Sequence, residues 1–264
     1  MPFVSNDGIR IYYEVEGEGA PLVLHHSLTR SSEAWKDFGY VQILVRDYQL
    51  ILIDARGHGA SDKPHDPGAY QPDLMVGDLV AVLDDLGISQ AHYYGYSLGA
   101  LIGFNIAEYA LSRFQSLILG GGIPSGPRTE EEKQAMGLVR EAMRIGVEQG
   151  MDSVVAFMEK TAGPMPPEAK ARVLANDPQA LLAVVSALEE WHSAKDTLPK
   201  MTLPCLVYVG ENDPFYTGAR ESVDRIPNGS FVSLPDLGHT PALYRSDIVL
   251  PHITSFLQAV SRDS

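Results

Sequence analysis

The chain opens with polar and apolar residues in alternation. In "FVSNDGIRIYYEVEGEG" apolar and polar residues alternate around Asn6-Asp7-Gly8, which predicts a β-hairpin with its turn there. The pattern then changes. "LVLHH" (Leu22 to His26) and "QLILIDARGHG" (from Gln49) are short, almost wholly apolar, and end in turn residues. Strands buried on both faces of a parallel sheet read this way. Between them, Glu33 to Tyr48 reads as a helix. A second helix is predicted in "PDLMVGDLVAVLDDLGI", where Leu74, Gly77, Leu79, Val82, Leu83 and Leu86 recur at helical spacing. Strand "AHYYG", helix "ALIGFNIAEYALSRF" and strand "SLILGGG" follow. Strand and helix in turn predict a doubly wound α/β sheet.

The alternation stops at "GGGIPSGPRTEEEK". From about Thr129 to Leu198 only helical periodicity remains. Met136, Val139 and Met143 share one face, Val154 and Met158 another, Leu181, Val185 and Leu188 a third. The α/β pattern resumes at "LPCLVYVGEND", continuing through helix "TGARESVDRI", strand "SFVSLPD" and a last helix "DIVLPHITSFLQAV". The chain therefore divides into a first core segment (1–123), a helical insertion (124–199) and a second core segment (200–264). The insertion is expected over the strand ends where open sheets bind ligands. Its methionines are expected to pack the insertion rather than to wall a pocket.

Composition narrows the function. With 264 residues, 45% of them hydrophobic, the chain can bury one large core. A net charge of -14 repels nucleic acid and anionic membrane, and no basic cluster overrides it. The expected partner is a small molecule. The single cysteine, Cys205 in "PCLVYVG", excludes an internal disulfide and reads as a buried thiol. "MPFVSNDGIR" shows no charged-then-apolar leader, and no apolar run is long enough to span a bilayer, so a cytoplasmic location is the expectation. Nothing in the pattern sets an oligomeric state.

The candidate chemistry begins at "GYSLG". A strand ending in Gly95-Tyr96-Ser97-Leu98-Gly99 and opening a helix reads as a nucleophile elbow. The turn is so sharp that side chains at the two flanking positions would meet neighbouring chain. The competing reading is a glycine-rich turn with Ser97 as an ordinary helix cap. A serine hydroxyl needs a base, and the base needs an orienting acid. On an elbow of this kind the acid and histidine follow in that order. Asp213 follows the strand "CLVYVGEND", and His239 lies in a loop within "LPDLGHTP". Glu211 is the rival acid, and Asp236 reads as a shaper of the His239 loop. Asp54 and Arg56 in "DARGHGASD" read as a pair bracing loops beside the site, and His92 as a core or edge residue. Two backbone N–H groups are needed for a developing oxyanion: Leu98 after the nucleophile, and Ser27 in the loop after "LVLHH".

Taken together, "GYSLG", "DARGHGASDKP", "VGENDP" and "LGHT" resemble the α/β-hydrolase fold family with a helical cap, over nearly the whole chain. The resemblance places the family's catalytic positions on Ser97, Asp213 and His239. Where most members carry His-Gly, this chain has His25-His26, followed by Ser27-Leu28. "HSLTRSSEAW" is similar to the Asn-Ser-Leu-Gly…Trp segment of 3-oxoadipate enol-lactone hydrolases, Trp35 matching the tryptophan. His26 stands for Asn, Thr29 for Gly, and Ala100 for a further Gly. The resemblance implies a cofactor-free serine esterase or lactonase. His26 either contacts substrate or holds the loop, and Tyr96 is a second candidate contact.

Other chemistries lack their motifs. There is no His-Glu-x-x-His, no paired-cysteine spacing, no phosphate-loop lysine and no Gly-x-Gly-x-x-Gly after the first strand, so no metal or nucleotide cofactor is expected. Ser97 at the elbow excludes an aspartate nucleophile. The alternatives left are C–C bond hydrolysis or perhydrolysis on the same three residues, and a ligand receptor that keeps a slow triad.

Overall fold

The computed structural model describes residues 2–124, 126 and 129–262. The hairpin is present: β1 (Phe3–Asn6) and β2 (Ile9–Glu16) pair antiparallel about Asp7-Gly8, both in left-handed backbone. Strands β3 (Ala20–His25), β4 (Tyr48–Ile53), β5 (Ala91–Tyr96), β6 (Phe114–Gly120), β7 (Cys205–Gly210) and β8 (Gly229–Leu234) complete one eight-stranded sheet in the order β1-β2-β4-β3-β5-β6-β7-β8. β2 joins β4 antiparallel, and every pairing beyond that is parallel. The chain runs from β3 outward to β4 and then returns to place β5 on the other side of β3. The crevice between the carboxyl ends of β3 and β5 is therefore the point where strand order reverses, where open α/β sheets bind ligands.

The helices explain the near-continuous apolar strands. On one face lie α1 (Glu33–Asp37), α2 (Val41–Leu44) and two helices described below. α3 (Pro72–Asp85) and α4 (Leu98–Tyr109) cover the other. Leu22 and Leu24 pack on Trp35 and Tyr40, while Val23 between them packs on the α3 side with Leu79 and Val82. Both sides of a strand are thus dry, and each residue along it is apolar.

The single helix expected from Glu33 to Tyr48 is instead two short ones. Gly39, at φ 84°, turns the chain out of helical geometry between them, and Tyr48 already belongs to β4. The break seats Trp35 against Tyr40 and Tyr94, with ring centroids 5.1 and 4.7 Å away.

Among the described residues, four α-helices stand between β6 and β7: α5 (Glu130–Gln149), α6 (Met151–Ala162), α7 (Pro167–Leu174) and α8 (Pro178–Glu190). The stretch just before them, where the alternation was expected to stop, includes Ser125, Pro127 and Arg128, which lie outside the described residues. α5 starts with a capping box: the Thr129 hydroxyl accepts from the Glu132 amide and the Glu132 carboxylate accepts from the Thr129 amide. α8 starts on Asp177, whose carboxylate accepts from the Gln179 and Ala180 amides. The four helices share their own apolar cluster around Met143, Met151, Val154, Val173, Leu181 and Val185. After β7 come α9 (Tyr216–Val223), α10 (His239–Tyr244) and α11 (Ser246–Arg262); α10 and α11 join the face built on α1 and α2. No helix among the described residues is long and apolar enough to cross a membrane.

Candidate functional site

Ser97 ends β5 and opens α4 with φ 53° and ψ -108°, a strained conformation for any residue but glycine. The strain is held by contacts on both sides. Its amide donates to the Gly120 carbonyl at 2.8 Å, and its carbonyl accepts from the Leu101 amide at 2.9 Å. A Cβ at Gly99 would lie 2.2 Å from the His25 carbonyl oxygen, and one at Gly95 would lie 2.4 Å from the Gly99 backbone. The steric reason for the two glycines is thus direct. The Ser97 side chain caps no helix amide. Its Oγ lies 3.0 Å from His239 Nε2, which removes the cap reading.

His239 Nδ1 lies 2.7 Å from Asp213 Oδ2, and Asp213 Oδ1 accepts from the Phe215 amide at 3.0 Å. The loops carrying these two residues are laced together, since the Asn212 amide donates to the Leu237 carbonyl at 2.9 Å. His239 is the first residue of α10 rather than part of a free loop; the Tyr96 hydroxyl donates to its carbonyl at 2.6 Å and pins it from β5. Burial disfavours the His239 imidazolium, but the charge and hydrogen bond of Asp213 outweigh it and raise the pKa above 6.5. Glu211, the rival acid, is exposed and accepts from Ser233 Oγ. Asp236 sits in left-handed backbone in the exposed turn after β8.

The loop after β3 closes the other side. The Ser27 carbonyl accepts from the Arg30 amide at 3.1 Å, making a tight turn with Thr29 at φ 64°. A β-branched residue in that region is strained. Asn176, beyond α7, holds the Thr29 carbonyl at 3.0 Å. The Gly99 amide donates to the His26 carbonyl at 3.2 Å, tying this loop to the elbow. Neither the Leu98 nor the Ser27 amide donates to a protein acceptor among the described residues.

His26 does not reach the cavity. It is 1% exposed; its Nδ1 bonds the Ser27 carbonyl and its Nε2 accepts from the Ala55 amide. This commits it to one neutral tautomer, and burial holds its pKa below 6.5. It holds the loop. Asp54 and Arg56 brace loops as expected but do not pair with each other. Asp54 accepts from the Ser32 and Ala60 amides, joining the loops after β3 and β4. Arg56 forks onto Asp78 of α3 at 2.7 and 2.6 Å. His92 is a core residue bonded to Ser116 Oγ. Cys205 is buried, which pushes its thiol up to about 12.

Above Ser97 and His239 lies a cavity of about 330 Å³. Its walls are mostly apolar, with Tyr96, Leu101, Ile123, Phe215 and Leu243 contributed by the sheet side. α5 and α6 supply Met136, Met143 and Met158 among others, and Leu188 of α8 and Trp191 after it add to the wall. The methionines expected only as packing are therefore also pocket wall. The cavity lies directly under the inner face of these helices, so a side chain that packs inward reaches it. The residue that the sequence reading missed is Arg30, which lines the cavity beside Ser27. Its only signal was a cation in an otherwise uncharged loop, "HSLTRS". Among the described residues, no group of three or more His, Cys, Asp or Glu is placed to hold a metal ion.

A mostly parallel eight-stranded sheet, with an elbow serine at its switch point and a histidine within hydrogen-bond distance, defines an α/β hydrolase. Residues 20–245 match the alpha/beta hydrolase fold family, and the chain belongs to it. Among curated relatives, it is 25% identical to a non-heme haloperoxidase of Rhodococcus erythropolis, with 98% of this chain and 100% of that one aligned. Among solved structures, it superposes on the enol-lactonase of Burkholderia xenovorans LB400 with a TM-score of 0.84 at 23% identity, covering 97% and 100% of the two chains. An esterase of Rhodococcus sp. ECU1013 gives a TM-score of 0.79 at 27% identity, covering 98% of each.

Proposed function

We propose that the protein is a cofactor-free serine hydrolase acting on small esters or lactones, with Ser97, His239 and Asp213 as its triad. The observation that carries this reading is the unbroken chain from Ser97 Oγ to His239 to the buried Asp213 carboxylate. His239 takes the Ser97 proton as Oγ attacks the acyl carbon. The Leu98 and Ser27 amides, free of protein acceptors among the described residues, hold the oxyanion. One oxyanion donor contributes about 2.7–4 kcal/mol of transition-state stabilisation. His239 then protonates the leaving oxygen, which in a lactone stays attached to the acyl group. Asp213 keeps the proton on Nδ1 and stabilises the imidazolium. A water deprotonated by His239 finally releases the acid. In this reading helices α5–α8, residues 124–199, form a cap over the core segments 1–123 and 200–264, and Tyr96 touches substrate.

Likeness to a relative named as a non-heme haloperoxidase favours a second reading, in which hydrogen peroxide replaces water in the second step and a peracid leaves. A panel of p-nitrophenyl esters of rising chain length and small lactones, assayed with and without peroxide, tests both. The proposal requires turnover of at least one ester or lactone that Ser97→Ala abolishes with the fold intact. Unchanged kcat in Ser97→Ala overturns it.

A further inference from the structure

Arg30 is 4% exposed and lines the same cavity as Ser97. A guanidinium keeps its charge at any physiological pH, and burying that charge without a counter-charge is costly. Among the described residues no ion pair includes Arg30, and its buried Nε has no hydrogen-bond partner. What it does have is neutral. One terminal nitrogen donates to the Thr29 carbonyl at 3.3 Å and hydroxyl at 3.1 Å, and the other to the Tyr244 hydroxyl at 2.9 Å. The Asp54 carboxylate, whose charge acts on His26 against that of Arg30, is itself committed to two backbone amides. So, among the described residues, Arg30 is the one guanidinium or ammonium lining the cavity, held by its neighbours and without a paired carboxylate.

We propose that Arg30 is a specificity-determining residue that binds a carboxylate of the substrate. This rests on the hydrolase reading and narrows it: the natural substrate is an ester or lactone that carries a free carboxylate in addition to the bond that is cut. The fork of a guanidinium matches a planar carboxylate, and a single cation balances a single negative charge. A cavity of about 330 Å³, at the small end for ligand sites, suits a short dicarboxylic acid derivative rather than a long chain. Tyr244, from the helix that begins with His239, fixes the guanidinium relative to the reacting centre.

The test pairs a monoethyl ester with the diethyl ester of the same short diacid (succinate, glutarate, adipate). In the wild type kcat/KM favours the half-ester by tenfold or more. In Arg30→Gln the loss on the half-ester exceeds the loss on the diester by about 30-fold or more, the lower bound for truncating one partner of a buried charge pair. Arg30→Lys, which keeps the charge without the fork, recovers part of the preference. Equal losses on both esters would mark Arg30 as a structural residue and overturn the proposal, as would a wild type without preference. Binding separates this inference from the hydrolase reading. With Ser97→Ala protein, the Kd for monoethyl glutarate rises about 30-fold or more on adding Arg30→Gln. If no ester is turned over but that shift is seen, the hydrolase reading fails and the anion site stands. If esters turn over and the shift is missing, the anion site alone fails.

Discussion

Substituting Gly99 by alanine should damage both stability and catalysis. The added Cβ would lie 2.2 Å from the His25 carbonyl oxygen, 2.9 Å from its carbon and 3.2 Å from the His26 carbonyl oxygen. These are backbone atoms at the end of β3, paired on both sides with β4 and β5, and His25 is further fixed through Tyr93, whose hydroxyl bonds both His25 Nδ1 and the Gly99 carbonyl. No flexible side chain can give way. Relief requires the strand end and the elbow to part by about an ångström. Overpacking of this sort costs roughly 2–3 kcal/mol, which is about 4–12 °C in Tm for a chain of this size. The same displacement stretches the Gly99–His26 hydrogen bond and separates the Ser27 amide from the Leu98 amide, so kcat/KM on any turned-over ester should fall by about 100-fold or more. Gly137 is the control. It lies exposed within α5 with nothing near its would-be Cβ, and alanine there should raise stability by about 0.5–1 kcal/mol through helix propensity. Calorimetry and ester kinetics on the two variants check this. A Gly99→Ala protein with wild-type Tm and wild-type kcat/KM would refute the steric account of the elbow.

Two further outcomes follow from the histidines. kcat/KM should rise with pH as His239 loses its proton, with a midpoint above 6.5 because Asp213 stabilises the cation. Asp213→Asn removes that charge, so the midpoint moves down and kcat falls by up to about 10⁴, the loss seen when a serine protease triad is altered in this way; a pH–rate series shows whether the limb shifts. His25, His26 and His58 are buried together, each with a pKa held below 6.5 by burial, His58 at about 3. They are neutral in the fold and charge on unfolding, so stability is fully present above pH 6.5 and is lost as pH falls from there toward the folded values. Tm should therefore drop between pH 7.5 and 5.5 with proton uptake on unfolding, and a flat Tm across that range would contradict it.

Much of this site was legible because its constraints are local. The elbow needs two glycines four apart, a strand before and a helix after, and all lie within one stretch of sequence. Asp213 and His239 were found by order and by the strand ends that precede them. What was not legible depends on contacts across the fold. The partner of Arg56 is Asp78, on a helix packed beneath it, whereas neighbourhood in sequence suggested Asp54. One glycine with a left-handed φ, Gly39, cut a helix whose periodicity continued past it. The role of His26 turned on the Ala55 amide, which only the pairing of β3 with β4 brings near. That Arg30 is buried with no ion pair among the described residues is a matter of packing that no sequence pattern displays.

The central claim is that Ser97 is a nucleophile activated by His239. The most direct measurement is labelling with a fluorophosphonate, followed by intact-mass and peptide mass spectrometry. The account predicts a single stoichiometric adduct on Ser97, absent in Ser97→Ala and much slower in His239→Ala. A protein that turns over esters yet takes no label, or takes it on another residue, would contradict the account.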